Sequence, residues 1–183
     1  MDLAEIERPI GVAFPSLRRF EQGNCGVPYV FQFGSETPGP HVLLCALTHG
    51  NEVCGAIALA ALLDANLLPQ RGTLTVAFNN IAAYEQFNPN VPDDARFVEE
   101  DFNRVWSDTR LYAPANSVER TRALQLLPFV RKADYLLDLH SMHEPCVPIW
   151  ICGIQAKNEA LARSVRNDTL APPSPTRIRG LQR

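Results

Sequence analysis

The sequence predicts an α/β fold in which a mostly parallel or mixed sheet is flanked by helices. Two continuous apolar runs, at 42–47 and 73–78, have the length and composition of strands that are buried on both faces. Between them, apolar side chains recur at helical spacing from 52 to about 67, with Asn51 as the predicted N-cap. A strand, a helix and a strand in this order are typical of a parallel unit in an α/β sheet.

Further elements are predicted on both sides of this unit. A proline-rich start surrounds one predicted strand over 27–33, and another strand covers 134–139. Residues 82–115 lack a sustained apolar period and are longer than most connections, which is typical of a functional loop. Residues 147–152 could form another strand, and 157–167 another helix.

A long helix is predicted between the loop and the strand over 134–139. Asn116 and Glu119 resemble a capping arrangement that opens this helix, which should run to about Arg131. Pro128 lacks a backbone donor and clashes with the preceding turn, so we expect the helix to be kinked or shortened there.

The composition is that of one folded domain, with 183 residues, 46% hydrophobic and 20% charged. A net charge of −3 offers no general attraction to nucleic acids or anionic membranes. The longest apolar stretch falls far short of the ~18 residues that a membrane span needs, and acidic residues stand where a signal peptide carries basic ones. Five cysteines without a Cys-x-x-Cys pair predict reduced, mostly buried thiols. We therefore expect a cytoplasmic protein with no nucleic-acid or membrane partner, and the sequence does not indicate its oligomeric state.

Three side chains at predicted strand ends have the chemistry of a metal site. His49 and Glu52 follow the strand at 42–47 and stand at the start of a helix, so their side chains should share one face. His140 follows the strand at 134–139, and the carboxyl ends of parallel strands meet at one edge of a sheet. Two imidazoles and one carboxylate, with a fourth position open to water, are the ligands of a catalytic zinc ion. The three residues therefore predict a zinc site.

Taken residue by residue, the sequence leaves less specific interpretations open. A His-x-x-Glu pair arises often by chance, and a histidine near a strand end is commonly a structural hydrogen-bonding residue. Arg96 and Arg104 could pair with the acidic residues around them on a solvated face. Asp138 could orient a metal-bound histidine or serve only the strand end. His143 is first an exposed loop residue and second a substrate contact.

Three motifs follow one another along the chain. They are Leu-Thr-His-Gly-Asn-Glu at 47–52, Arg96 followed by Asp-Phe-Asn-Arg at 101–104, and Asp-Leu-His-Ser at 138–141. In order and spacing they resemble the succinylglutamate desuccinylase/aspartoacylase family. Members of this family are zinc-dependent deacylases with a zinc carboxypeptidase-like α/β fold, so the resemblance implies that fold and a Zn²⁺ cofactor.

The resemblance also implies roles for individual residues. The residues that match the zinc ligands are His49, Glu52 and His140. The residues that match the substrate-positioning groups are Arg96, Asn103 and Arg104. Guanidinium groups bind carboxylates bidentately, which fits the implied substrate. This substrate is a small acidic N-acyl amino acid, of the N-acetylaspartate or N-succinylglutamate type, cleaved at its amide bond.

The family's catalytic glutamate, the general base and acid of the reaction, has no match in this sequence. It is expected beyond Arg183, so no general base is assigned. We expect residues 1–168 to form an incomplete deacylase catalytic domain with its C-terminal part missing, and residues 169–183 to be a disordered Pro- and Arg-rich tail, from truncation or a changed reading frame. The alternatives are a catalytically weak or inactive metal-binding fragment and a carboxypeptidase-like peptidase.

Overall fold

Four strands and five helices make up the described part of the chain, residues 12–142 and 147–164 of a computed structural model. The strands are β1 (Val30–Gly34), β2 (His41–Ala46), β3 (Thr73–Phe78) and β4 (Tyr135–Leu139). The helices are α1 (Val53–Asp64), α2 (Ile81–Tyr84), α3 (Asp108–Leu111), α4 (Val118–Lys132) and α5 (Ala156–Ser164). Short 3₁₀ turns cover Arg18–Phe20, Pro92–Ala95 and Phe102–Arg104.

The strands form one mixed sheet in the order β1-β3-β2-β4. β2 pairs in parallel with β3 and with β4, so that Leu44 lies beside Val76 on one side and Leu137 on the other. β1 runs antiparallel to β3. The predicted α/β class with a mixed sheet is therefore confirmed, and the parallel strand, helix and strand unit is the one expected at β2, α1 and β3.

Alternation along β2 explains how the sheet is covered by helices on both faces, because successive side chains of a strand point to opposite faces. Ala46 belongs to an apolar cluster with Leu59 of α1. Leu43 and Cys45 belong to a second cluster with Ala123 and Leu126 of α4. An uninterrupted apolar strand is what a sheet covered on both faces requires.

The start of α1 differs from the prediction. The helix begins at Val53, its N-cap residue is Glu52, and no side chain caps it. Asn51 is therefore not the N-cap, and its amide instead donates to Asp93. This leaves the Glu52 carboxylate available for contacts outside the helix.

The long helix α4 also differs from the prediction in two ways. Ser117 is its N-cap, and the Ser117 hydroxyl accepts from the Arg120 N–H. Pro128 lies inside the helix, which continues to Lys132. The expected shortening is wrong, because Leu126, Phe129 and other side chains on both sides of the proline pack into the core and offset the lost backbone bond.

Beyond β4, the predictions have mixed outcomes. Residues 147–152 form no strand, although their apolar residues predict one. An apolar run becomes a strand only when a neighbouring strand pairs with it, and sequence alone does not supply that neighbour. The helix expected over 157–167 is present as α5, and residues 165–167 lie outside the described residues, as do 169–183.

The chain divides into two compact units, Met1–Ser141 and Met142–Arg183. The sheet and α1 to α4 belong to the first unit, and α5 belongs to the second. In neither described stretch does any helix combine the length and the hydropathy needed to cross a membrane.

Candidate metal centre

The carboxyl ends of β2 and β4 lie side by side at one edge of the sheet, because these strands are parallel neighbours. The chain leaves β2 and reaches α1 at Val53, so His49 and Glu52 lie in the connecting loop. His140 follows the last residue of β4. Residues far apart in sequence are therefore brought to the same edge.

The Glu52 carboxylate lies between the two imidazole rings. Its Oε1 is 2.6 Å from Nδ1 of His49, and its Oε2 is 2.7 Å from Nδ1 of His140. Atoms that could act as metal ligands, one from each residue, lie within 4.8 Å of one another. His49 is 3% exposed and Glu52 is 6% exposed. Such a set of two imidazoles and one carboxylate could hold one metal ion.

The prediction that His49 and Glu52 meet because they share one face of a helix is wrong. Both residues precede the first helical residue, Val53, so they do not share a helix face. The loop backbone brings them together instead, with the Glu52 N–H bonded to the His49 carbonyl at 3.1 Å. The two side chains meet, but the turn and not the helical repeat places them.

Each ring also has a carboxylate on its Nε2 side. Nε2 of His140 is 2.9 Å from Oδ2 of Asp138, and Nε2 of His49 is 3.2 Å from Oδ1 of Asp101. A carboxylate in this position accepts the Nε2–H of a ligating imidazole, and Nδ1 can then bind a cation that displaces the Nδ1 proton. Asp138 can therefore orient His140 with its Nδ1 towards Glu52, and Asp101 can do the same for His49 when Nε2 of His49 carries the proton.

The electrostatics of the cluster keep its carboxylates ionised. Burial opposes the charge of Glu52, but hydrogen bonds from His140 and His49 outweigh it, so the pKa of Glu52 lies well below its usual range. Hydrogen bonds to Asp138 and Glu52 raise the pKa of His140 to about 10, against the effect of burial. Burial likewise opposes the charge of Asp101, but the N–H of Asn103 and the nearby His49 lower its pKa.

Of the three predicted substrate-positioning residues, Arg96 reaches the cluster. Its Nη1 donates to Oε1 of Glu52 at 3.3 Å, and its Nη2 is 3.0 Å from Nε2 of His49. That Nε2 atom can donate to Asp101 or accept from Arg96, but not both. Asn103 and Arg104 lie on the exposed side of the neighbouring 3₁₀ turn, where Nη1 of Arg104 donates to the carbonyl of Asn103.

Comparison with known proteins places this arrangement in a family. The model of the succinylglutamate desuccinylase/aspartoacylase catalytic domain matches residues 38–166, which include all three motifs. The chain belongs to this family. Its members are deacylating hydrolases. A search of the curated proteins finds no match.

Solved structures of the succinylglutamate desuccinylase/aspartoacylase family share the fold. An aspartoacylase family protein from Mesorhizobium loti is 23% identical, with a TM-score of 0.56 over 80% of this chain and 46% of that one. A succinylglutamate desuccinylase/aspartoacylase from Rhodobacter sphaeroides is 25% identical, with a TM-score of 0.51 over 74% of this chain and 40% of that one. The fold is thus zinc carboxypeptidase-like, and the chain spans less than half the length of either protein.

Several contacts of the candidate site were not predicted. The Thr48 hydroxyl donates to Asp138 at 2.8 Å and accepts from the Asn79 amide at 2.9 Å. The Ser141 N–H donates to Oε2 of Glu52 at 3.1 Å. Thr48 and Ser141 lie inside the recognised motifs, and Asn79 directly follows β3, so position at a strand end was the signal available for all three.

Other predicted roles have different outcomes. The sequence offered Asp138 as an orienting residue or a strand-end residue, and the structure places it on His140. The Asp101 carboxylate contacts His49, and the Asp101 carbonyl accepts the Arg104 N–H at 2.8 Å. His143 lies outside the described residues.

Proposed function

We propose that this chain is a zinc-dependent hydrolase that cleaves the amide bond of an N-acyl amino acid. The observation that carries the proposal is the convergence of Nδ1 of His49 and Nδ1 of His140 on the Glu52 carboxylate, with Arg96 bonded to the same carboxylate. Membership of a family of deacylating hydrolases supports the reaction class. The proposed substrates are of the N-acetylaspartate or N-succinylglutamate type.

The chemistry of the cluster fits zinc. His49, Glu52 and His140 would hold the ion, because two imidazole nitrogens and one carboxylate are a common ligand set of catalytic zinc. Zinc bound there would activate water and polarise the acyl carbonyl. Asp138 contacts Nε2 of His140 and Asp101 contacts Nε2 of His49, and carboxylate partners of this kind fix the orientation of ligating imidazoles.

The arginines supply the proposed recognition of an acidic substrate. Arg96 stands beside the cluster, where its guanidinium can also meet the scissile acyl group. Arg104 lies on the same 3₁₀ turn as Asn103. It is exposed, so its charge is available to a carboxylate of the substrate. Arginine keeps its charge at any working pH and binds carboxylates bidentately. We assign Arg96, Asn103 and Arg104 to substrate positioning.

A second candidate is a metal-binding protein with weak or no turnover. Within the described residues, the carboxylates that contact the two histidines are Glu52, Asp101 and Asp138, and each already accepts hydrogen bonds. Each of them orients a histidine or belongs to the proposed ligand set, so none is assigned as a general base. General-base assistance contributes about 10²–10⁴-fold to a rate, so metal binding can persist where turnover is small.

The test combines zinc analysis with a substrate panel. The purified chain is loaded with zinc, and hydrolysis of N-acetylaspartate, N-succinylglutamate, N-acetylalanine and a blocked dipeptide is measured. We expect one equivalent of zinc and turnover of the acidic N-acyl substrates, with both lost in His140→Ala. Zinc without turnover selects the second candidate, turnover of the dipeptide alone selects a peptidase, and an unchanged zinc content in His140→Ala rejects the site.

A pair of arginine variants tests the proposed recognition. Arg104→Ala should raise KM for N-acetylaspartate more than for N-acetylalanine, because only the former carries a second carboxylate. Arg19→Ala is the matched control, since Arg19 pairs with Asp64 on an exposed surface of α1. Equal changes in KM for both substrates would remove Arg104 from the proposed site.

A further inference from the structure

Glu119 is a fully buried acidic residue in the second position of α4. Its Oε1 accepts from the N–H of Val98 at 2.7 Å, and its Oε2 accepts from the N–H groups of Glu99 and Glu100 at 3.2 and 3.3 Å. Burying a carboxylate is costly unless hydrogen bonds compensate it. Within the described residues, these bonds come from three successive backbone N–H groups and no cation forms an ion pair with Glu119. Such a row of N–H groups is a typical anion-binding nest.

The segment that Glu119 holds lies between the proposed substrate-positioning residues. Arg96 precedes Val98, and Asp101 follows Glu100 directly. Asp101 contacts His49 and accepts the Asn103 N–H at 2.8 Å, which shapes the turn that carries Arg104. A shift of the 98–100 backbone would therefore move both ends of the recognition segment.

The same carboxylate connects the segment to the loop that carries the metal ligands. The amide of Asn80 donates to Oε1 of Glu119 at 3.1 Å. The Asn80 N–H donates in turn to the carbonyl of Leu47, at 2.8 Å. Leu47 lies two residues before His49. Its φ of 61° is in the left-handed region, which residues other than glycine rarely adopt. Glu119 thus joins three segments around the cluster.

The side chains of Glu99 and Glu100 also accept hydrogen bonds, from residues at or near the start of α4 and from Arg110. The Glu99 carboxylate accepts from the Val118 N–H at 2.5 Å. The Glu100 carboxylate accepts from Nε of Arg120 at 2.6 Å, and it also contacts Ser117 and Arg110. Glu99 and Arg110 are exposed, so their contacts with water compete with these bonds. The Glu119 carboxylate is fully buried, so water competes less for its bonds.

We propose that Glu119 is a positioning residue, which holds the 98–100 backbone through its buried carboxylate and thereby sets the placement of Arg96, Asn103 and Arg104 for an acidic substrate. This inference rests on the proposed function. Glu119 contacts neither the metal ligands nor Arg104, so it acts on them through the 98–100 backbone and through Asn80. Three of these four bonds hold the 98–100 backbone, so their loss should weaken substrate binding more than zinc binding.

The decisive variant is Glu119→Gln, which keeps the shape of the side chain but replaces one acceptor by a donor that faces an N–H. We expect KM for N-acetylaspartate to rise by about tenfold or more, with kcat changed much less and zinc content unchanged. The control is Leu126→Ala, a buried truncation on the same helix, which should destabilise α4 but leave KM unchanged. Similar changes of KM in both variants, or none in Glu119→Gln, would overturn the proposal.

A second measurement does not depend on turnover. Amide hydrogen exchange of Val98, Glu99 and Glu100 should become about tenfold faster in Glu119→Gln, while the amides of β2 stay protected. Glu119→Asp, whose shorter carboxylate reaches fewer N–H groups, should give an intermediate increase and serves if the Gln variant does not fold. Unchanged exchange at 98–100 overturns the proposal. If the wild-type chain hydrolyses none of the substrates, the proposed function fails while this measurement still decides whether Glu119 holds the segment.

Discussion

Among the residues that the structure describes, the Asp138 carboxylate has two hydrogen-bond partners, Nε2 of His140 at 2.9 Å and the Thr48 hydroxyl at 2.8 Å. Both bonds end on the same oxygen, Oδ2. A carboxylate on the far side of a ligating imidazole fixes the ring and makes its other nitrogen a better ligand. Asp138 is therefore the residue outside the ligand set whose charge should matter most to a bound cation.

Asp138→Asn should lower zinc affinity by about 10–100-fold, because a neutral amide is a weaker acceptor for the imidazole N–H. The measurement is a competition titration against a chromophoric chelator. Asp134→Asn is the control, since Asp134 accepts the His41 N–H at the opposite end of β4. Equal affinities of the wild-type chain and Asp138→Asn would show that the tautomer of His140 is fixed by other contacts.

Tyr84 provides a pH-dependent contribution to stability that is independent of the metal site. Its hydroxyl donates to the carbonyl of Pro15 at 2.6 Å, and burial raises the pKa of Tyr84 to about 12. In the unfolded chain this phenol ionises near pH ~10. The fold therefore favours the neutral form, so its contribution is fully present below pH ~10 and is lost as the pH rises towards 12.

Tyr84→Phe should remove a phenol that ionises at about pH 12 from an alkaline titration followed by phenolate absorbance. It should also cost about 1 kcal/mol at neutral pH through the lost hydrogen bond. Between pH ~10 and ~12 the wild-type chain should lose this advantage over the variant. A constant difference in unfolding free energy across that range would contradict the assignment.

At the scale of elements, α1 packs against the end of β4 through a glycine. A Cβ atom on Gly55 would lie 2.7 Å from Cβ of Leu139 and 2.9 Å from the Leu139 carbonyl oxygen. These distances are shorter than side-chain atoms tolerate, and one of the atoms belongs to the backbone. The close approach brings Glu52, at the start of α1, to His140, after the end of β4.

Gly55→Ala should therefore separate the ligand-bearing elements and weaken zinc binding. Alanine gains about 0.5–1 kcal/mol in a helix interior, but overpacking typically costs 1–3 kcal/mol, so we expect a net loss of stability. Urea unfolding and zinc titration measure the two effects. Gly34→Ala is the control, because nothing lies within 4 Å of a Cβ added there and its φ needs no glycine.

Pro128 is an exposed proline in the interior of α4. Proline in a helix interior costs about 3 kcal/mol through the missing N–H and its clash with the preceding turn. Pro128→Ala should therefore stabilise the chain by about 1–3 kcal/mol in urea unfolding, while exposed Gln125→Ala should change it by less than about 0.5 kcal/mol. A variant no more stable than the wild-type chain would mean that α4 has already adapted to the proline.

The elements that could be predicted from the sequence are those that have a short, continuous apolar or helical pattern and whose neighbours in the sheet follow from the order of strand, helix and strand. The runs at 42–47 and 73–78 are the strands β2 and β3 within a residue. The role of Glu119 was not predicted, because its type and position resemble a helix cap, and only the folded chain shows which backbone it faces. Asp101 was missed as a partner of His49 for the same reason, because a long irregular loop sets the orientation of the Asp101 side chain.

For the whole molecule, a cation that binds the folded chain and not the unfolded chain must stabilise the fold. Free zinc at 100 times Kd should add about 2.7 kcal/mol to the unfolding free energy. Chelation should reverse this gain, and His140→Ala should abolish it. His41→Ala is the matched histidine control, because His41 is the first residue of β2 and its ring contacts the Thr75 hydroxyl, away from the proposed zinc site. This variant should keep the zinc-dependent gain in stability. A gain retained in His140→Ala would place the bound zinc elsewhere.

The position of β4 in the sheet has a consequence for the order of folding. β2 pairs with β3, and only the α1 connection separates these two strands in sequence. β4 also pairs with β2, but residues 79–117 and α4 lie between β3 and β4 in the chain. Closing the longer loop costs more chain entropy and is slower. We therefore expect His49 and Glu52 to be in place early, whereas His140 arrives last, so that capture of an ion would report completion of the sheet during biosynthesis.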